Sequence, residues 1–374
     1  LKIEPFALER YFDRHEFSAR YLLSCSDCEP FSLARLLELA DDESRQLWRD
    51  LSLGYTQTAG HPALRQAVAG TYQGVDPEDV MVVVPEEGVF LFMQAALEPG
   101  DHVVCTFPGY QSLYALARAI GCDVSLWTPE EGPGWRFSLA ALERLIKNET
   151  RLVVVNFPHN PTGALPTRDE LTALVELVEG CGARLFSDEM YRLLELDGAA
   201  TLPAACELHP RAVTLSGLSK SFGLPGLRVG WLATRDRELL RRVAEIKDYT
   251  TICASAPSEV LALAALGARD VIIGEQRARL ARNLEALDVF MRSHQDRLRW
   301  GRPQAGSICF PRLLATEGAE RFCQTLVEEA GIMLVPSSLF EYGDGHVRVG
   351  FGREGFPQVL ERFAEYLDGQ VRRG

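Results

Sequence analysis

Between residues 80 and 232, short β-branched runs alternate with longer stretches that carry apolar residues at helical spacing, and this alternation restricts the fold more than any other feature of the chain. Val80 to Val84, His102 to Cys105, Asp123 to Trp127, Leu152 to Asn156, Arg184 to Ser187, Ala212 to Leu215 and Arg228 to Leu232 read as strands. Glu87 to Leu97, Tyr110 to Ile120, Leu139 to Lys147 and Arg168 to Glu179 read as the intervening helices. Strands joined through helices run parallel, and a parallel sheet has to be covered on both faces. The pattern therefore predicts an α/β architecture with chemistry at the carboxyl ends of the strands.

Beyond Leu232 the texture changes to long helical patterns, Asp236 to Tyr249, Ser258 to Leu266 and Asp270 to Arg297. A smaller α+β unit follows, with strands at Ser307 to Phe310, Ile332 to Val335 and His346 to Gly350 and helices at Ala319 to Glu329 and Gln358 to Arg372. The first fifty residues hold mostly helical pattern and one short run, Tyr21 to Ser24, too little for a domain of their own. The expected division is a large domain of residues 51–270 and a small domain built from residues 1–50 and 271–374.

Composition narrows the function classes. Of 374 residues 47% are apolar, enough for a sizeable core without disulfides. With 39 basic against 52 acidic residues the net charge is −13, which argues against a nucleic-acid or anionic-membrane partner. No apolar stretch reaches membrane-span length, and the first thirty residues are broken by Glu4, Arg10, Asp13, Arg14 and Arg20, unlike a secretory leader. The 9 cysteines are odd in number and scattered, which points to a reducing cytoplasm. Cys25 and Cys28 form a CxxC, but no second pair and no spaced histidines accompany it, so it reads as two structural thiols rather than a metal or redox site.

The chemistry concentrates in three segments. Ser216 to Trp231, SGLSKSFGLPGLRVGW, places Lys220 after a strand at the start of a Gly- and Pro-rich turn, with Arg228 eight residues on. Two cationic groups on one turn suit a carbonyl-bearing ligand with a phosphate. Leu152 to Gly163 leads from a strand into a turn that displays Asn160. Leu185 to Arg192 ends a strand on Asp188, with Tyr191 three residues later.

In this chain order the segments resemble the class I/II aminotransferases, fold-type I enzymes that use pyridoxal 5′-phosphate (PLP). The resemblance runs from GYTQTAGHPALRQAV at Tyr55 through PEEGVFLFMQAALEPGD, FPGYQSLY, NFPHNPTG, SDEMY and SKSFGLPGLRVGW to HVRVGFGR. It implies the PLP-dependent transferase fold, a mostly parallel seven-stranded sheet sandwiched by helices plus a smaller α+β domain. It implies that Lys220 forms the internal aldimine and moves the Cα proton, which requires its pKa to fall from about 10.4 toward neutrality. Asp188 would pair with the pyridine nitrogen, Asn160 and Tyr191 would bond the ring's O3′, and Tyr110 would stack on the ring. Arg228 would clamp the phosphate, helped by the backbone N–H groups of Glu86 and Glu87 at a helix start.

Two departures from the family pattern stand out. Relatives carry small residues where this chain has Pro85, Glu86 and Glu87, so the two acidic side chains are expected to point away from the phosphate. Gly217 stands where relatives often have a phosphate-binding serine, with Ser216 or Ser219 as replacement. On the substrate side, Arg348 would receive the α-carboxylate. Tyr55 would reach the PLP phosphate of a neighbouring subunit, which implies a homodimer with shared active sites.

The implied activity is transamination between an α-amino acid and an α-keto acid. The alternative is another outcome on the same cofactor, in a lyase, a decarboxylase or an amino-acid cyclase, because NFPHNPTGA and LSKSFGLPGLRVGW also look like segments of capreomycidine synthase. A non-catalytic PLP-sensing regulator fits poorly, since the charge is −13 and no helix-turn-helix precedes the motifs.

Overall fold

The computed structural model describes residues 2–132, 134–314 and 317–371. In it the seven runs form one sheet in the order Val80–Val83, Gly230–Ala233, Val213–Gly217, Arg184–Asp188, Thr150–Asn156, His102–Thr106, Asp123–Trp127. Every neighbouring pair is parallel except the two made by Gly230–Ala233. Alternation along the strands explains why they are apolar throughout. Leu152 and Val154 join Val103, Cys105, Phe186, Phe92 and Leu113 in one core, while Val153 and Val155 join Val104, Leu185, Trp127 and Leu174 in another. Each fully buried side chain of this kind contributes about 1.5–3 kcal/mol, so a shift of register by one residue would be prohibitive.

The last expected strand starts later than its sequence suggests. Arg228 lies ahead of Gly230–Ala233, at the end of the 3₁₀ turn Pro225–Leu227, with φ 55°. The left-handed backbone there turns Arg228 out of the strand direction and toward the end of the sheet.

The second core belongs to the chain ends. Ile308–Cys309, Val347–Gly350 and Val335–Pro336 form an antiparallel sheet, and Tyr21–Leu22 pairs in parallel with Ile332–Met333. Leu23, Leu284, Leu326, Ile332, Val349 and Phe363 are buried together there. The helix Phe356–Val371 packs on the same unit; its expected end at Arg372 lies outside the described residues. Of the first fifty residues, only the earlier part joins this core. Leu33–Leu39 and Asp42–Arg49 pack against Ala256–Gly267, and Leu36 is buried with Val80, Val82, Trp231 and Leu261 of the large sheet's side. The long helix Arg269–Ser293 spans both cores, with Ile272 and Ile273 in one and Leu280, Leu284 and Leu287 in the other. Among the described residues no helix is long and apolar enough to cross a membrane.

The N-terminal segment is pinned to the Lys220 turn at Gly223. That glycine has φ +62°, its carbonyl accepts from the Phe31 N–H at 3.0 Å, and a Cβ added there would lie 2.4 Å from the Glu29 carbonyl oxygen. Gly223→Ala combines left-handed strain with a backbone clash, and is expected to cost about 1–3 kcal/mol. A urea titration should show the midpoint falling accordingly; an unchanged midpoint would mean that this contact does not hold the segment in place.

Candidate active site

The carboxyl ends of the parallel strands open onto a cavity of about 600 Å³. Lys220, Asp188, Tyr191, Asn160, Tyr110, Glu86, Ser219, Arg228 and Arg348 all line it. Asn160, Asp188 and Lys220 meet because consecutive parallel strands end on the same edge, and Arg348 is brought in from the separate strand Val347–Gly350. Asn156, the last residue of its strand, ties two of these ends together: its Nδ2 donates to the Asp188 carbonyl at 3.0 Å and its Oδ1 accepts from the Asn160 N–H at 2.7 Å. Asn156 lines the cavity too, and was not singled out in the sequence, where it reads as an ordinary strand terminus.

Lys220 Nζ donates to Ser26 Oγ at 2.8 Å and has no carboxylate partner within ion-pair distance among the described residues. Burial lowers its pKa, with the Asp27 carboxylate opposing. Asp188 accepts from the Met190 N–H at 3.1 Å, and burial pushes its pKa up to about 6. A carboxylate so placed lacks solvation that a cationic N–H would restore. Arg348 is 1% exposed, donates to Asn160 Oδ1 at 3.3 Å and the Ser24 carbonyl at 3.0 Å, and lies over the rings of Phe12 and Phe340. All its protein partners are neutral, so its charge is left for a ligand. Tyr191 is buried, and desolvation raises its pKa.

Tyr110 packs against Phe6, ring centroids 4.9 Å apart, and its hydroxyl donates to Glu9 Oε1 at 2.7 Å. Burial first, and then Glu86 and Glu9, hold its pKa above the usual range. The two acidic residues at the helix start part company. Glu87 turns away and accepts from Thr251 Oγ1 at 2.8 Å. Glu86, expected to do the same, instead lines the cavity and accepts from Ser112 Oγ at 3.1 Å. Burial pushes its pKa up to about 7, so near neutral pH much of it is uncharged, which is how a carboxyl group is tolerated at this place.

Of the two serines weighed as phosphate ligands, Ser219 faces the cavity with a buried hydroxyl that has no hydrogen-bond partner among the described residues, whereas Ser216 does not line it. Gly217 itself has no room for a side chain, since a Cβ would lie 2.9 Å from Gly230 Cα. Tyr55 is not brought to the cavity and is 91% exposed. Cys25 and Cys28 are buried thiols with pKa values pushed up by desolvation to about 11 and about 12, and no metal-binding group of side chains occurs among the described residues. The wall that the sequence did not reveal is the N-terminal helix Ala7–His15, which contributes Leu8, Glu9, Arg10 and Phe12. Its hydrophobic spacing shows only that one face is covered; nothing local shows by what.

The comparisons with known proteins agree with this geometry. The family model for aminotransferase class I and II matches residues 35–367. Capreomycidine synthase from Streptomyces vinaceus is 30% identical, over 99% of this chain and 95% of that protein. A PLP-dependent aminotransferase from Streptococcus suis superposes with a TM-score of 0.91 at 32% identity, covering 100% of this chain and 99% of the other. The PLP-dependent cyclase OrfR gives a TM-score of 0.91 at 30% identity, covering 99% and 98%. The chain belongs to the class I and II aminotransferases, of PLP-dependent transferase fold type I, and its cofactor is PLP.

The residues present fit that cofactor. A lysine amine with lowered pKa, a buried carboxylate, an orphaned serine hydroxyl, an arginine and a helix N-terminus, at Pro85–Ala96, share one cavity, matching an aldehyde, a basic ring nitrogen and a phosphate. The raised pKa of Asp188 has a stability consequence. A carboxyl group that binds its proton more tightly folded than unfolded favours the native state at low pH and opposes it once ionised, so stability falls as pH rises from about 4 through about 6. In the cofactor-free protein, Asp188→Asn should therefore be the more stable form at pH 8 by about 2–3 kcal/mol, with the gap closing near pH 4. Thermal melts across that range check it; a gap independent of pH would mean that Asp188 does not titrate there.

Proposed function

We propose that the protein is a PLP-dependent aminotransferase that moves an amino group between an α-amino acid and an α-keto acid by a ping-pong reaction. The observation that carries this reading is the convergence of Lys220, Asp188, Arg228 and Arg348 on a single cavity. When bound, the cofactor supplies an aldehyde that exchanges amines and a ring that accepts an electron pair from the substrate's Cα. Lys220 would hold the aldehyde through Nζ and, as a free amine, would take and return the Cα proton; burial lowers its pKa, which eases the return. Asp188 keeps the ring nitrogen protonated. Asn160 and Tyr191 hydrogen-bond the ring oxygen, and Tyr110 stacks on the ring. Arg228, Ser219 and the N–H groups of Glu86 and Glu87 hold the phosphate. Arg348 receives the α-carboxylate in bidentate fashion, with Asn160 orienting its guanidinium at 3.3 Å.

The exposed Tyr55 supports a homodimer in which each subunit lends this hydroxyl to its neighbour's phosphate, and the scattered free cysteines support a cytoplasmic setting. The two cores support a large and a small domain, with the helices at Leu33–Leu39 and Asp42–Arg49 going to the large one. A second reading, cyclisation or elimination on the same cofactor, is favoured by the similarity to capreomycidine synthase and to OrfR.

Product analysis separates them: one keto acid formed per amino group transferred is the expected result, and ammonia or a cyclic amino acid in place of the keto acid would establish the second reading. Arg348→Ala should raise the KM for α-amino acids about 100-fold or more, the loss of two charge-assisted hydrogen bonds, while PLP content stays near that of the parent. A parallel loss of PLP would mark Arg348 as structural.

A further inference from the structure

We infer that the amino acid this site takes carries a cationic side chain, recognised by Glu9 and Glu16 on the wall formed by the N-terminal segment. The inference rests on the aminotransferase reading, because that reading gives a partner to every cation of the cavity. Lys220 goes to the aldehyde, Arg228 to the phosphate and Arg348 to the α-carboxylate, and Arg10 pairs with Asp13 at 3.1 Å. Among the carboxylates Asp188 is taken by the ring nitrogen. Asp27 is held by Arg353, whose Nη2 lies 3.1 and 3.0 Å from its two oxygens. Three remain, Glu9, Glu16 and Glu86, all lining the cavity and none in an ion pair among the described residues.

Glu86 sits at the phosphate end and is best kept protonated there. Glu9 and Glu16 belong to the N-terminal wall, Glu9 within the helix Ala7–His15 and Glu16 directly after it. The Tyr110 hydroxyl bonds one oxygen of Glu9 and leaves further acceptor sites free. Burial first, and then the like charges of Asp27 and Glu9, raise the pKa of Glu16, with Arg353 and Lys220 opposing but neither in an ion pair with it among the described residues. Carboxylates gathered without a counter-ion cost free energy until a cation joins them. Glu9 lines the same cavity as Lys220 and Arg348, and its charge acts on both. Phe6 and Phe12 add apolar surface to the cavity lining, suited to a methylene stem.

The cavity's claim to a ligand does not depend on the acidic residues. Arg348, 1% exposed, has an Nε without a partner, and the buried Ser219 hydroxyl is likewise orphaned. An anion-seeking end and a cation-seeking end together describe a basic α-amino acid, such as lysine, ornithine or arginine.

The test uses isosteric pairs on the PLP-loaded protein, ornithine against norleucine and arginine against citrulline, with conversion of the visible cofactor band followed in the half-reaction. The charged member of each pair should react with a kcat/KM at least about tenfold higher, and Glu9→Gln or Glu16→Gln should shrink that ratio by about 10- to 100-fold, the scale of one charge-assisted hydrogen bond. Calorimetry on the pyridoxamine form, where an amino acid cannot react, should show the same preference in binding. Norleucine and citrulline reacting as well as their charged partners, a preference for acidic amino acids, or a ratio unmoved in both variants would overturn this inference and leave transamination standing. Failure of every amino acid to convert the band would overturn the aminotransferase reading, and this inference with it.

Discussion

Two cations, one half-buried and one buried, whose hydrogen bonds go only to neutral oxygens organise this molecule. Lys220 leans on the Ser26 hydroxyl, and Arg348 on the Asn160 amide oxygen and the Ser24 carbonyl. Taking a guanidinium out of water without a carboxylate is costly, and a fold keeps it only where the surroundings are fixed and a ligand completes it. The surroundings here come from both cores. Arg348 stands on the small unit's strand Val347–Gly350, Asn160 on the loop after Thr150–Asn156, and Ser24 and Ser26 on the segment that crosses between them. An α-carboxylate bound by Arg348, as proposed, would therefore touch a place where both cores meet.

The same logic of shared charge runs through the rest of the cavity. Desolvation pushes Asp188 up and Lys220 down, and both shifts suit the proposed roles: a buried carboxylate favours a cationic nitrogen beside it, and a lysine of lowered pKa gives up its proton more readily. A net charge of −13 is compatible with the proposed phosphate and carboxylate sites because Arg228 and Arg348 line one cavity while the global field stays negative.

Much of this was legible in the sequence, for physical reasons. Strands buried on both faces have to be continuous apolar runs, so all seven could be read off, and residues just past their carboxyl ends, such as Asn160, Asp188 and Lys220, had to share one edge. What escaped depends on contacts that no local pattern encodes. The hydrogen bond from Tyr110 to Glu9 joins residues 101 apart and brings a helix from the chain start over the cavity. Leu33–Leu39 went to the large core because its apolar side meets Ala256–Gly267, a choice its own periodicity does not express. Glu86 turned inward because Ser112, on a different helix, offers it a hydroxyl. Arg228 left its strand because the Pro225–Leu227 turn ends in a left-handed residue.

The central claim is that Lys220 carries the cofactor. Borohydride reduction of the PLP-loaded protein, followed by proteolysis and mass spectrometry, tests it directly. The account predicts one phosphopyridoxyl group per chain, on the peptide that contains Lys220, and none in Lys220→Ala. An adduct on another lysine, or a fully labelled Lys220→Ala protein, would contradict it.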